Sequence, residues 1–281
     1  MDPLTLVAGA ALAGGALAWE MLVRAPEHVE VTRYRLAVPG LPGELRGRRI
    51  VFLSDLHHRR RPGFRELWVR GVVARLEPDM IFLGGDLCEC LEAPAHVLAM
   101  LEGWAPPLGT YAVFGNNEHK HQDVRAFRGQ LQARGVRVLQ NSHLVLDLGE
   151  ERFVVAGADD PTEGYDDLDA TLRGRPPGLV TFLLCHSPEL FPEAAAAGCT
   201  LVFSGHTHGG QVRLPGVGAL WTDTPRTGLR YQHGLYLEGA SGLVLSKGVG
   251  TSKLPIRWLA RPEVVVVDLE GASANELLRA D

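Results

Sequence analysis

Seven side chains of the kinds that bind divalent ions fall in five short polar clusters along the chain: Asp55 with His57, Asp86, Asn116, His186, and His206 with His208. Carboxylates, imidazoles and one amide oxygen suit Mn²⁺, Fe, Zn²⁺ or Co²⁺, and the lack of thiolates in the set argues against a structural zinc site. Taken singly, each cluster says little. An Asp-x-His pair is often a surface or capping pair, and a histidine after a strand is more often a hydrogen-bonded core residue. Their joint occurrence is more informative, because every cluster directly follows an apolar run. RIVFLS precedes Asp55, MIFLG precedes Gly85-Asp86, TYAVF precedes Gly115-Asn116, VTFLL precedes Cys185-His186, and TLVFS precedes Gly205-His206. In α/β sheets the strand carboxyl ends line one edge where ligands bind, so these five loops can converge on one binuclear site. Each Asp-x-His or His-x-His pair is expected to sit on an extended segment, both side chains on one side. Glycines beside the clusters allow positive φ and close backbone approach.

The elements that would position these loops follow from periodicity. Val29–Val38 alternates like a strand and ends in a Pro-Gly turn. Arg49–Ser54, Met80–Leu83 and Tyr111–Phe114 are short apolar strands, followed by helical stretches at Phe64–Leu76, Ala95–Trp104 and Val124–Arg134. Repeated strand-loop-helix units imply parallel pairing. Further strands are expected at Leu144–Leu148, Phe153–Ala156, Val180–Leu184, Leu201–Phe203, Leu235–Glu238, Leu243–Ser246 and Val264–Leu269, with a helix at Pro188–Ala197. Two sheets packed face to face with helices outside would accommodate this order.

Asp55-Leu56-His57, Gly85-Asp86, Gly115-Asn116, His186 and Gly205-His206-Thr207-His208 resemble the five motifs of the calcineurin-like metallophosphoesterases, over about residues 45 to 270. The longer form GHTHGGQVRLP, with SKGVGTSKLPIRW and RPE downstream, is similar to a membrane-anchored bacterial subgroup. That subgroup includes relatives of hydrolases acting on UDP-2,3-diacylglucosamine in lipid A biosynthesis. The resemblance implies an α/β fold of four αββα layers, the metallo-dependent phosphatase fold, behind an N-terminal hydrophobic helix. It also implies two divalent metal ions, Mn²⁺ above all. One would be held by Asp55, His57, Asp86 and His208, the other by Asp86, Asn116, His186 and His206, with Asp86 bridging. The implied reaction is phosphoester hydrolysis with a metal-bridging hydroxide as nucleophile. The family's third motif carries a histidine after the asparagine, whereas this chain has Asn117. Asparagine cannot deliver a proton at neutral pH. Either His119 supplies the acid, or the leaving group needs none, as for a nucleotide in a pyrophosphate, or the chain is a metal-retaining, catalytically weak module that binds a phosphorylated ligand.

Other residues have expected parts beside this set. Arg59, Arg60 and Arg61 follow the first motif directly and are candidates for holding phosphate in forked geometry. Cys88 and Cys90 are expected to be free thiols lining the site, since four cysteines at irregular spacing make no disulfide framework. A net charge of −5 and no aromatic-basic stripe leave nucleic acid out of the expected partners, which are a phosphorylated small molecule or lipid. Leu4–Trp19 carries no charge, and Met21–Val23 extends the run past Glu20. Residues 1–25 are therefore expected to form a transmembrane anchor and residues 26–281 the catalytic domain. Arg24, Arg33, Arg35, Arg46, Arg48 and Arg49 follow the run, with no Lys or Arg before it, which places the domain on the cytoplasmic side.

Overall fold

The computed structural model describes residues 3–59, 62–272 and 279–280. It opens with helix α1 (Pro3–Trp19), carried on through a wider turn at Glu20–Arg24 into α2 (Ala25–Glu27). Strands β1 (Glu30–Pro39), β2 (Arg49–Leu53), β3 (Met80–Gly84), β4 (Thr110–Val113) and β5 (Val136–Val138) alternate from β2 onward with α3 (Phe64–Leu76), α4 (Ala93–Leu101), and the pair α5 (Asn116–His121) and α6 (Val124–Gln132). The second half supplies β6 (Ser142–Leu148), β7 (Glu151–Gly157), α7 (Leu168–Leu172), β8 (Thr181–Leu184), α8 (Phe191–Ala196) and β9 (Leu201–Ser204). A small hairpin of β10 (Arg213–Leu214) and β11 (Gly218–Ala219) comes next, then β12 (Gly234–Glu238), β13 (Ser241–Leu245), β14 (Glu263–Ala272) and β15 (Arg279–Ala280).

The strands form two large sheets, ordered β15-β1-β14-β2-β3-β4-β5 and β12-β13-β9-β8-β7-β6. β2 through β5 are parallel, as are β7, β8, β9 and β13. The antiparallel partners are β14 beside β2, β6 beside β7 and β12 beside β13. The period-two alternation of strand side chains explains the layers. Ile50 and Phe52 of β2 face the other sheet, packing with Phe82, Phe182 and Phe203. Val51 and Leu53 turn the other way, onto Val69, Val73 and Val97 of α3 and α4 and Phe127 of α6. On the far sheet Val154, Leu183 and Val202 pack under Phe191 and Ala194 of α8. Strands buried on both faces read as unbroken apolar runs, and the result is the expected αββα sandwich.

Most expected elements appear within a residue or two of their sequence bounds. The helix expected at Ala95–Trp104 stops at Leu101. The helix expected at Pro188–Ala197 is a 3₁₀ turn at Pro188–Leu190 leading into α8. α5, α7 and β5 have no counterpart in the periodicity reading; α5 reads NNEHKH, too polar to show an apolar stripe.

Candidate metal centre

β2, β3 and β4 end at the same edge of one sheet, and β8 and β9 end beside them on the other. The loops at Asp55–His57, Asp86, Asn116, His186 and His206–His208 thus meet where the two sheets abut. Two groups of possible ligands result: Asp55, His57 and His208 in one, and Asp55, Asp86 and His186 in the other, their ligand atoms all within 4.8 Å of one another in each group.

The hydrogen bonds leave the right atoms free. His186 Nδ1 donates to the Gly84 carbonyl at 2.8 Å, and His206 Nε2 donates to the Asp223 carbonyl at 2.6 Å. His186 Nε2 and His206 Nδ1 therefore face each other, 3.2 Å apart. His57 Nδ1 donates to Glu89 at 2.5 Å, which directs its Nε2 toward His208 Nε2 at 3.0 Å. Two buried imidazole nitrogens this close need a proton or a cation between them. Asp86 Oδ1 accepts from the Asn117 backbone, while its Oδ2 lies 3.7 Å from His57 Nε2 and 3.4 Å from His186 Nε2. That single oxygen faces both imidazole pairs, which is the position of a bridging ligand. Asn116 Oδ1 is buried without a hydrogen-bond partner among the described residues. An orphaned amide oxygen of this kind calls for a water or an ion. All seven residues named from the sequence thus come to one place, and the donor set fits two divalent ions.

Electrostatics fit the same reading. Burial would lower the pKa of His186, but Asp86 outweighs it and raises the imidazole well above its ordinary value. Burial opposes and Glu89, Asp86 and Asp55 together raise His57. His208 is held well below its ordinary value by burial, by His57 and by Arg257. Against the cost of burial, His186 and His57 hold the Asp86 carboxyl strongly ionised.

The backbone corrects one expectation. The Asp-x-His and His-x-His segments are not extended: Asp55, His57, Asp86, His206 and His208 all have positive φ, between 45° and 69°. The strands end before the ligands, and residues of positive φ, alternating with Leu56 and Thr207 in the first and last loops, fold each loop back. This is why His206 joins His186 while His208 joins His57. Such conformations cost about 1 kcal/mol or more each and persist only where the surroundings over-determine them. Close approach makes the loops possible. A Cβ at Gly205 would overlap the Asp55 carboxylate, and one at Gly115 would overlap Asp86.

Three charged residues that the sequence reading passed over hold the loops. Glu118, fully buried, accepts the backbone N–H groups of Asp86, Leu87, Cys88 and Gly115 at 2.8–2.9 Å. Burial and the charge of Asp86 push its pKa up to about 7, and these donors stabilise the anion. The signal was present: a glutamate three residues after Gly115 is the N3 position of a capping box. Glu89 orients His57, as carboxylates behind metal-ligating histidines do. Arg257, also fully buried, donates through Nη1 to the carbonyls of His208, Lys247 and Ala260 and through Nη2 to those of Gly248 and Gly250, and its Nη2 lies 3.2 Å from His208 Nδ1. Burial lowers its pKa to about 9, so it remains a cation at neutral pH.

Other expected site residues lie elsewhere. His119 is turned out of the cavity: it pairs with Asp159 at 2.8 Å and stacks on Tyr165. On α5 the face carrying Asn116, Asn117, Lys120 and His121 lines the cavity, and His119 falls off that face. Arg59 is exposed and does not line it; Arg60 and Arg61 lie outside the described residues. Among the described residues the lysine and arginine side chains at the cavity of about 330 Å³ are Lys120 and Lys253, the latter beside Trp221. Cys88 is buried in the core under α3 and α4 and Cys90 packs against it, so neither lines the site. All four cysteines are free.

A calcineurin-like phosphoesterase profile matches residues 48–210, more than half of the chain. This chain belongs to that family. Among its relatives is phosphodiesterase YaeI of Escherichia coli, 31% identical over 87% of this chain and 89% of YaeI. Another is the metallophosphoesterase YkuE of Bacillus subtilis, 29% identical over 95% of this chain and 94% of YkuE. A transmembrane protein with a metallophosphoesterase domain from Danio rerio is 29% identical over 89% of this chain, which spans 60% of that longer protein. The family accounts for hydrolase activity, for divalent metals and for the αββα sandwich.

Proposed function

We propose that the chain hydrolyses a phosphodiester or pyrophosphate bond with two divalent ions, Mn²⁺ in the first place, held by Asp55, His57, Asp86 and His208 and by Asp86, Asn116, His186 and His206. The observation that carries this reading is Asp86 Oδ2, which faces an imidazole of each group. A pair of such ions supplies a nucleophile at neutral pH by lowering the pKa of a water, and neutralises charge on the phosphoryl oxygens. The chain's own residues supply the rest. Asn117, whose amide also donates to Glu89 at 3.2 Å, offers a neutral N–H to a phosphate oxygen. Lys120 and Lys253 face the cavity with positive charge. No histidine stands where Asn117 does, and His119 is engaged with Asp159. The leaving group is therefore one that departs without a proton. A nucleoside phosphate of a lipid-linked nucleotide such as UDP-2,3-diacylglucosamine meets that requirement, and Trp221 at the cavity offers a face for a base.

The N-terminal helix from Thr5 to Glu27 is long and apolar enough to cross a membrane, and its most apolar stretch is not buried against the domain. With the transmembrane relative it supports membrane association. We read residues 1–25 as the anchor and 26–281 as the catalytic domain, facing the cytoplasm because the arginines cluster after the helix.

Turnover of bis(p-nitrophenyl) phosphate and of glycerol 3-phosphate, with Mn²⁺, tests the leaving-group reading in the wild type and in Asn117→His. The wild type is expected to hydrolyse the diester and to be at least tenfold slower on the alkyl ester. The histidine should raise only the latter, since general acids contribute about 10²–10⁴-fold where protonation limits the rate. Equal wild-type rates on both esters contradict that reading. Tight metal binding with no turnover of either ester, or of a pyrophosphate, identifies a phosphate-binding module in place of an enzyme.

A further inference from the structure

The end of the apolar helix is built into the metal centre. The Met21 carbonyl accepts the backbone N–H of Arg257 at 3.0 Å, and the guanidinium of the same Arg257 reaches His208 Nδ1 at 3.2 Å. Ala25 and Pro26 are buried, and the Glu27 carboxylate and Pro26 carbonyl accept from Arg65 at the start of α3. The helix thus ends one side chain away from a metal ligand. Its 23 residues from Thr5 to Glu27 span about 34 Å at 1.5 Å per residue, close to the roughly 30 Å hydrocarbon core of a bilayer. If the helix spans, Met21 lies near the lipid–water interface, and the Arg257 segment with it.

Several large apolar side chains are exposed on and near that segment. Leu254 and Leu259 flank Arg257 and are 60% and 52% exposed. The β10–β11 hairpin is tied to the same segment, because Arg213 donates to the Trp258 carbonyl and Trp258 to that of Gln211. Its tip residue Val217 is 65% exposed, and Leu220 and Trp221 after it are exposed too. Leu22 and Val23, next to Met21 on the helix, are exposed as well. Lys253 stands over the Trp221 ring at 4.9 Å, a cation and an indole together at the cavity mouth. Contiguous exposed apolar residues mark an interaction surface, and a tryptophan with a neighbouring cation suits the headgroup layer.

We propose that this rim of Val217, Leu220, Trp221, Leu254 and Leu259 rests in the interface of the bilayer that holds the helix. The cavity then opens at headgroup depth and takes a phosphate still attached to a membrane-embedded lipid. The occupant is the lipid surface, because the rim is continuous with the end of the one helix suited to a membrane among the described residues. The proposal rests on the anchor reading above.

Maleimide labelling of the full chain in phosphatidylcholine/phosphatidylglycerol vesicles tests it. Val217→Cys is compared with Glu150→Cys, whose exposed turn before β7 lies at the opposite end of its strand from the site, and the unsubstituted chain corrects for native thiols. A water-soluble maleimide should modify position 217 at least fivefold more slowly than position 150, unchanged when the protein-to-lipid ratio is lowered tenfold. Equal rates overturn the proposal. So does protection that disappears on dilution, since a second copy and not lipid would then cover the rim. A chain that fails to float with the vesicles removes the anchor and this proposal together. Mn²⁺-dependent diester hydrolysis on the same samples reports the enzyme separately: slow labelling at 217 without turnover supports the docking and counts against the hydrolase reading alone.

Discussion

Replacing Arg257 by methionine, which keeps the volume and removes every donor, is expected to loosen the fold and the metal centre together. The guanidinium satisfies five backbone carbonyls, of His208, Lys247, Gly248, Gly250 and Ala260, in a site with no solvent exposure. Nη1 and Nη2 have four N–H groups to share among these acceptors, and at about 1.5 kcal/mol for each hydrogen bond to a charged group they would sum to roughly 6 kcal/mol. Water entry and loop relaxation should recover about half, which leaves a loss of about 3 kcal/mol, a large part of a stability of roughly 5–15 kcal/mol. Desolvating the cation offsets some of its gain in the wild type, but a methionine leaves the carbonyls buried and unpaired. Because two of Arg257's contacts are to His208, metal affinity should fall more than global unfolding explains. Urea denaturation of the metal-free chain gives the first quantity and calorimetric titration with Mn²⁺ the second. A loss under about 1 kcal/mol with unchanged affinity would refute the reasoning, as would a lysine that restores both fully, since one ammonium cannot reach carbonyls on both sides of the site.

Glu118→Gln removes one of two carboxylate oxygens that each accept two backbone N–H groups. Two buried donors then face an amide NH₂, at a cost of about 1–3 kcal/mol each, and denaturant midpoints should show it; an unshifted midpoint rules out the role given to Glu118. Glu89→Gln should weaken Mn²⁺ binding about 10–100-fold, the usual effect of losing the group behind a ligating histidine, with stability of the metal-free chain little changed. Metal binding should also release protons. Asp86 raises His186 well above its ordinary pKa against the effect of burial, so the metal-free imidazole is protonated at neutral pH and a cation must displace that proton. Affinity therefore rises with pH and falls as the solution is acidified. Calorimetry in buffers of different ionisation enthalpy should give at least about one proton released near pH 7, and none released would disprove the pairing.

The layers and the ligands were legible because both are written in local pattern. Runs such as RIVFL and MIFLG are apolar throughout, as strands buried on both faces must be, and each ligand follows its strand directly. The parts that hold the ligands were not legible. Arg257 and Glu118 act on loops brought together by the fold, Glu118 on backbone some thirty residues away. α5 is short and polar, held by contacts at its ends, so no periodicity announced it or showed that His119 would face Asp159. The left-handed backbone at five ligands was invisible too, since aspartate and histidine do not signal positive φ as glycine does.

Metal stoichiometry tests the central claim most directly. The chain is stripped with chelator and refilled with Mn²⁺, and bound metal per chain is measured by mass spectrometry alongside phosphodiester turnover, for the wild type and Asp86→Ala. With Asp86 Oδ2 facing an imidazole of each group, the wild type should hold two ions per chain and be active. The variant should hold at most one and lose at least 10³-fold in rate, roughly 4 kcal/mol of transition-state stabilisation. A wild type that is fully active with one ion, or an alanine variant that keeps two ions and its rate, would contradict the shared site.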